Sequence, residues 1–280
     1  MPTIFWLILL GLLVLVIALL VLEGHIRTEA FQNAPSPSSY SFPAGLALIN
    51  LDRRPDRLDS FKTTWDASRA SKLMEFKRFS AVDAKTFNIE DYITPESYAD
   101  ILADRRRMSK NKVSGKDIGV GLTKGGVGCY RSHIEVLKFI ASQDKPWIVC
   151  EDDAKIPANF AEQIKEFLPK VPFSPHGMIL FHAFCSSSAE HAKALHCDPV
   201  GNGVLQTDQF WSLACFYILP ETAKKILEHA GTPPYDMEID AKISELAQMR
   251  IIQIYVGHIV TTGWSDTDIQ NKSKYYKPDT

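Results

Sequence analysis

Pro146-Trp147-Ile148-Val149-Cys150-Glu151-Asp152-Asp153-Ala154 is the stretch on which the reading of this chain turns. Trp147 to Cys150 are apolar or β-favouring and read as a short buried strand. Three adjacent carboxylates follow at once, where a strand gives way to a loop. Three neighbouring acids repel one another, and burying them at a strand end is unfavourable unless a cation shares them. Carboxylate oxygens suit a hard divalent ion, Mn²⁺ or Mg²⁺, of the kind that leaves positions open for substrate phosphates. A solvated acidic turn is the competing reading of Glu-Asp-Asp. In open α/β sheets, ligands bind just outside the carboxyl ends of the strands, which favours a site here.

Working outward, the chain alternates strand and helix signals. Gly45 to Leu51 is a continuous apolar run suited to a strand buried on both faces. Leu58, Phe61 and Trp65 then repeat at helical spacing, with Asp56 a candidate N-cap. Phe76 to Val82 reads as a second strand, which makes strand, helix, strand, the beginning of a parallel α/β sheet. The Leu122 to His133 stretch carries Gly125, Gly126 and Gly128, expected to let backbone approach a ligand or to make a tight turn. Ile134, Leu137 and Ile140 continue as a helical stripe leading to the Trp147 strand. Further strands are expected at Met178 to Phe181, Leu213 to Ile218 and Arg250 to Val256, with helices around Ala223 to Ala230 and from Asp240 through Met249.

Composition bounds the function. With 280 residues, 45% hydrophobic, the chain can bury a full core. A formal charge of −2 leaves no basic excess to neutralise phosphate backbones, so no nucleic-acid partner is expected. The five cysteines form no C-x-x-C pair, which argues against a zinc module. Cys150 and Cys215 sit inside apolar runs and read as core. Cys185 and Cys197 flank a polar loop and are able to bridge in an oxidising compartment.

The two ends differ from the middle. After a three-residue tail (residues 1–3), Ile4 to Leu22 is apolar and uncharged, about 28 Å as a helix against a hydrocarbon core of about 30 Å. It reads as an uncleaved transmembrane signal anchor. Residues 23–43 are polar and Pro/Ser-rich, suited to a stalk. Residues 44–270 form the expected catalytic domain and residues 271–280 a basic flexible tail. The Asp104 to Lys116 run, rich in Arg and Lys, reads as a solvated loop or as a lid whose cations approach an anionic donor.

Taken together, several blocks resemble glycosyltransferase family 25, which includes bacterial lipooligosaccharide and collagen galactosyltransferases. Asn50-Leu51-Asp52-Arg53-Arg54-Pro55-Asp56-Arg57 is similar to the family's opening Asn-Leu-x-x-Arg-x-x-Arg block, and Ala81-Val82-Asp83-Ala84 to its Ala-x-Asp-Gly segment. Leu122-Thr123 through Gly128-Cys129 and Ser132-His133 resembles its Leu-Thr-x-Gly-Glu-Ile-Gly-Cys-x-x-Ser-His block, and Glu151-Asp152-Asp153 its metal motif. Two departures stand out: Gly126 replaces an acid, and His258-Ile259-Val260 stands where a proline-containing segment is expected.

The resemblance implies a GT-A (Rossmann-like) fold binding a nucleotide-sugar, UDP-galactose by analogy, through Mn²⁺ or Mg²⁺. Asp153 is the implied principal metal ligand, with Glu151 or Asp152 assisting and His258 a late-chain third ligand. Asn50, Arg53, Arg57 and Asp83 are implied near the nucleotide. An inverting transfer needs a carboxylate to take the acceptor's proton, and Asp240 is the first choice, Asp236 the second. The expected protein is a hexosyltransferase acting on a saccharide or glycoprotein hydroxyl, anchored in the Golgi or endoplasmic reticulum with its catalytic domain in the lumen. The alternative is a catalytically silent, membrane-tethered family member acting as a binding or scaffolding subunit.

Overall fold

Strand β1 (Gly45–Asn50) is buried along its whole length, as its unbroken apolar run requires. It sits between β2 (Glu75–Ser80) and β3 (Trp147–Glu151), parallel to both. In this computed structural model, which describes residues 39–97, 99, 122–184 and 197–263, those three strands open an eight-stranded mixed sheet. The others are β5 (Gly177–Leu180), β6 (Asp198–Gly201), β7 (Val204–Thr207), β8 (Cys215–Ile218) and β9 (Gln253–Val256), in the order β2-β1-β3-β8-β5-β9-β7-β6. Only β8 and β7 run against the rest. Separated from β3 by Asp152 and Asp153, the short strand β4 (Ala154–Lys155) pairs with β10 (Thr261–Thr262) outside the main sheet.

Helices cover both faces. Side chains alternate across each strand. Ile49, Val149, Leu180 and Phe216 face α2 (Lys124–Ala141), α4 (Pro220–Ala230) and α5 (Ile239–Gln248) in one core cluster. Leu48, Ile148, Cys150, Phe181 and Tyr217 face α1 (Pro55–Ala67) and α3 (Phe160–Phe167) in the other. The Cys150 and Cys215 thiols meet in that second core, 3.0 Å apart and free. Cys197 is buried and disulfide-bonded, while Cys185 lies outside the described residues.

The expected α/β sheet is therefore present, with differences of direction and extent. Leu213 to Ile218 yields a strand, but an antiparallel one, inserted between β3 and β5. The β6–β7 hairpin was not anticipated; its turn uses Gly201, Asn202 and Gly203, all at positive φ. The glycines of Leu122 to His133 form no loop. They occupy the first turns of α2, capped by Thr123, whose Oγ1 accepts the Gly126 N–H at 2.9 Å. The close approach there is between the helix and the backbone that follows β2: a Cβ at Gly128 would lie 2.7 Å from the Val82 carbonyl.

Among the described residues no helix is long and apolar enough to cross a membrane. The anchor expected at 4–22, most of the stalk, the Asp104 to Lys116 run, the last seven residues of the expected 44–270 domain and the 271–280 tail lie outside the described residues.

Ser132 completes the α2 docking. Its hydroxyl donates to the Gly128 carbonyl at 2.7 Å and accepts the Val82 N–H at 2.8 Å. Gly128→Ala is expected to destabilise the fold by about 1–3 kcal/mol through overpacking against backbone. Ser132→Ala, which leaves the Val82 N–H unpaired, is expected to cost about 1–3 kcal/mol. Both are read from the urea midpoint, and an unchanged midpoint in Gly128→Ala would contradict the close helix packing.

Candidate active site at the carboxyl edge of the sheet

All the strands that run with β1 end at one edge, and most of the residues singled out in the sequence collect there. Asn50 ends β1, Glu151 ends β3, and His182 and His258 each follow a strand by two residues, β5 and β9. Because β8 is reversed, it brings its N-terminal approach, Ser212 to Ala214, to the same edge. The Ala214 carbonyl accepts the Glu151 N–H at 2.8 Å.

Asp152 is held from two sides. Its Oδ2 accepts the Asn50 side-chain amide at 2.7 Å, and its Oδ1 accepts Arg57 Nη1 at 3.0 Å. Asn50 is 1% exposed and fully engaged. It also donates to the Arg54 carbonyl at 3.0 Å and accepts Arg78 Nε at 2.9 Å. Arg78 reaches on to Asp52 at 2.6 Å, and Ser80 donates to the other Asp52 oxygen at 2.7 Å. Arg53 pairs with Asp83 at 2.7 Å, and Asp83 caps the short 3₁₀ turn Ala84–Thr86 through the Lys85 N–H. Burial acts to raise the Asp83 carboxyl, but the Lys85 N–H and Arg53 hold it below the ordinary range. Asn50, Arg57 and Asp152 thus form one network, with Arg53 and Asp83 a neighbouring pair.

Asp153 has a different environment. Its Oδ1 is buried and accepts no hydrogen bond. Burial raises its pKa above the usual carboxylate value, Asp152 beside it adds to the rise, and Arg57 opposes it. The Asp153 carbonyl accepts the Gly263 N–H at 3.1 Å, which with the β4–β10 pairing brings the 258–263 segment back beside the acidic turn. In that segment the exposed His258 has φ +38°, a left-handed conformation uncommon outside glycine. His182 turns Nδ1 to the Val260 carbonyl at 3.2 Å.

Glu151 points the other way, toward α2. Its Oε1 lies 3.6 Å from Cys129 Sγ and 3.7 Å from His133 Nε2. Burial, then Asp153, pushes its pKa up to about 8, the Cys129 thiol opposing and Asp152 adding. His133 is driven down to about 4 by burial.

Asp240 sits in the first turn of α5. Its Oδ1 accepts the Ala241 N–H at 2.9 Å and its Oδ2 the Ser212 N–H at 3.2 Å. Ser212 has φ +86°, and this left-handed backbone turns its N–H to the carboxylate. Burial raises the Asp240 pKa despite those two donors, and the Asp240 charge is felt at Glu151 and Cys129. Asp236 precedes α5, about half-exposed, and pairs with Lys242 at 3.2 Å. Glu238 is the N-cap residue of α5, and its Oε1 lies 3.6 Å from where a Gly126 Cβ would stand.

The structure therefore gathers Asn50, Arg57, Glu151, Asp152, Asp153 and Asp240 at one edge, with His258 in the returning segment, and puts Asp236 in a surface ion pair. The candidate ligands and bases named from sequence did not include Cys129, His133 or Ser212. The Cys129-x-x-x-His133 spacing was the available signal for the first two, since residues four apart share a helix face.

Residues 45–263 match the family model described as Glycosyltransferase family 25 (LPS biosynthesis protein). Over 137 residues the chain is 26% identical to the Bos taurus protein named "Probable inactive glycosyltransferase 25 family member 3", an alignment covering 48% of this chain and 20% of that one. The chain thus spans about a fifth of that relative's length. The family match runs from the first residue of β1 to the residue after β10, taking in every strand among the described residues and the carboxyl edge they form, and the chain belongs to glycosyltransferase family 25.

Proposed function

We propose that this chain is a metal-dependent, inverting hexosyltransferase with a GT-A fold, moving a sugar, galactose by family analogy, from a UDP-sugar to a saccharide or protein hydroxyl. Family membership supports a transferase with a nucleotide-sugar donor and an acceptor. The observation that carries the metal-dependent reading is Asp153 Oδ1, a buried carboxylate oxygen with no hydrogen-bond donor. Burying such an atom is unfavourable unless something positive meets it.

Asp153 would hold Mn²⁺ or Mg²⁺, with His258 the candidate partner from the returning segment. The bound ion would stabilise the charge gathering on the departing diphosphate. Asp152 is already satisfied by Asn50 and Arg57, so its role in this reading is to fix the turn that presents Asp153. Arg53 and Asp83, paired with each other at 2.7 Å, are assigned to the nucleotide in this reading by the family resemblance.

Asp240 is the base in this reading. Two backbone N–H groups fix its orientation, and burial makes its carboxylate more basic than usual, which suits removal of a hydroxyl proton. Asp236 is neutralised by Lys242 at the surface and serves the reading less well. Membrane tethering through residues 4–22, with a lumenal catalytic domain, remains part of the proposal on sequence grounds.

The full-length chain, offered a panel of UDP-sugars with and without Mn²⁺, is expected to release UDP slowly from one donor. Chelator and Asp153→Asn should each abolish that release. Asp240→Asn should lower transfer to acceptor about 10²–10⁴-fold while leaving donor-induced thermal stabilisation in place. Because a base must be deprotonated and burial raises the Asp240 pKa, transfer should fall on the acid side at a pH above the ordinary carboxylate value, and this limb should vanish in Asp240→Asn. A second reading, a silent binding subunit, is favoured by the name of the bovine relative and by Gly126. No UDP release from any donor, together with no thermal stabilisation by donor plus Mn²⁺, would establish it instead.

A further inference from the structure

Cys129 and His133 are four residues apart on α2 and present their side chains to the same oxygen of Glu151, at 3.6 and 3.7 Å. The three donor atoms all lie within 4.8 Å of one another. Ligands about 2.0–2.3 Å from one tetrahedral Zn²⁺ stand ~3.3–3.8 Å apart, so the two spacings to Glu151 need little adjustment and the thiol closes on the imidazole by a side-chain rotation.

The histidine ring is set for the task. His133 Nδ1 lies 3.1 Å from the Cys129 carbonyl oxygen, and a carbonyl only accepts, so Nδ1 carries the proton and Nε2 the lone pair. Nε2 belongs to a side chain 1% exposed and has no hydrogen-bond partner. The Leu213 backbone also faces the ring, outside hydrogen-bonding geometry. A protonated Glu151 does not fill the need either, because 3.7 Å is too long for a hydrogen bond. With Nδ1 donating to the backbone and Nε2 bare 3.7 Å from Glu151 Oε1, the ring has the orientation that outer hydrogen bonds impose on metal-binding histidines, while Cys129 Sγ lies 3.6 Å from Nδ1 and turns toward Nε2 to complete the set.

We propose that Cys129 Sγ, His133 Nε2 and Glu151 Oε1 form a three-ligand site for Zn²⁺, its fourth position filled by water. Sulfur selects a softer ion than the Mn²⁺ or Mg²⁺ suited to Asp153, so the two sites discriminate by ligand chemistry. Thiolate and carboxylate together carry −2, which a divalent ion neutralises in a buried place. On binding, the thiol proton and the proton that burial keeps on Glu151 below about pH 8 both leave to water as the Zn–S and Zn–O bonds form. The site joins the middle of α2 to the end of β3, and it stands whether or not the chain transfers sugar.

The full-length chain, purified without a metal-affinity tag, should contain about one zinc per molecule. After stripping by chelator, Co²⁺ titration should give a thiolate-to-cobalt charge-transfer band that Zn²⁺ displaces. The band should persist in Asp153→Asn, vanish in Cys129→Ser, and need at least about tenfold more Co²⁺ in His133→Gln. A stripped, folded chain that shows no band overturns the proposal, as does a band surviving Cys129→Ser, which would assign it to other thiols. If Cys129→Ser does not fold, alkylation of Cys129 by iodoacetamide in the wild-type chain decides, read by mass spectrometry. Protection by Zn²⁺ supports the site, and equal labelling with and without Zn²⁺ overturns it. Loss of UDP release with an intact band would count against the transferase reading alone.

Discussion

Three carboxylates in succession at the end of a buried strand cannot share one environment, and the carboxyl edge of this sheet is arranged around separating them. Glu151 keeps the strand's alternation and turns under the sheet toward α2. Asp152 turns to the opposite flank, where Asn50 and Arg57 saturate both its oxygens. Asp153, between the acidic turn and the returning 258–263 segment, is left with a buried oxygen that no protein group meets. Each carboxylate thus belongs to a different piece of the fold, and the mutual repulsion that would open a bare turn is relieved by direction and by donors.

That arrangement fixes what its neighbours must be. Arg57 reaches Asp152 because Pro55 starts α1 immediately after the Asp52-Arg53 turn, which puts Arg57 in the helix's first turn and on the side of the strand ends. Asn50 must be an amide, since it donates to a carboxylate and a carbonyl while accepting from Arg78, and neither Asp nor Leu does both. α2 must approach closely enough for Cys129 and His133 to meet Glu151. The bare Cα of Gly128 against the Val82 carbonyl and the Ser132 hydroxyl bridging the two segments set that distance. Glycines weaken a helix by about 1 kcal/mol each relative to alanine. Here one of them supplies the contact that positions the helix.

Much of this was legible in the sequence because burial leaves a period. The runs at Gly45, Trp147, Met178 and Leu213 gave strands, and the Ile134, Leu137, Ile140 stripe gave a helix, since those patterns report which side faces the core. Strand direction leaves no such trace. Leu213 to Ile218 is as apolar as a parallel strand and is nonetheless reversed, and only the long path through the β6–β7 hairpin, with its own turn glycines, makes that reversal natural. Glycine misled for a related reason. It reports that backbone must come close to something or turn sharply, and the sequence does not say whether the reason is a ligand, a tight turn or, as at Gly128, the carbonyl of Val82. Within the site, the acidic turn, Asn50 and Arg57 were recognised as residues belonging together. That Asp152 is their shared partner depends on the crossing from β1 to β3, a contact ninety-five residues apart in the chain.

The departure at Gly126 shows where reading a motif position by position ends. The family block usually carries an acid there, and its replacement by glycine reads from sequence as a lost carboxylate. In three dimensions the space in front of Gly126 is occupied by Glu238, whose Oε1 stands 3.6 Å from the point a Cβ would take, delivered by the N-terminus of α5. An acid at position 126 would meet that carboxylate, and like charges at such range disfavour one another. Glycine at 126 and glutamate at 238 are therefore one solution to a single constraint: one carboxylate in that space, brought by the helix that also carries Asp240.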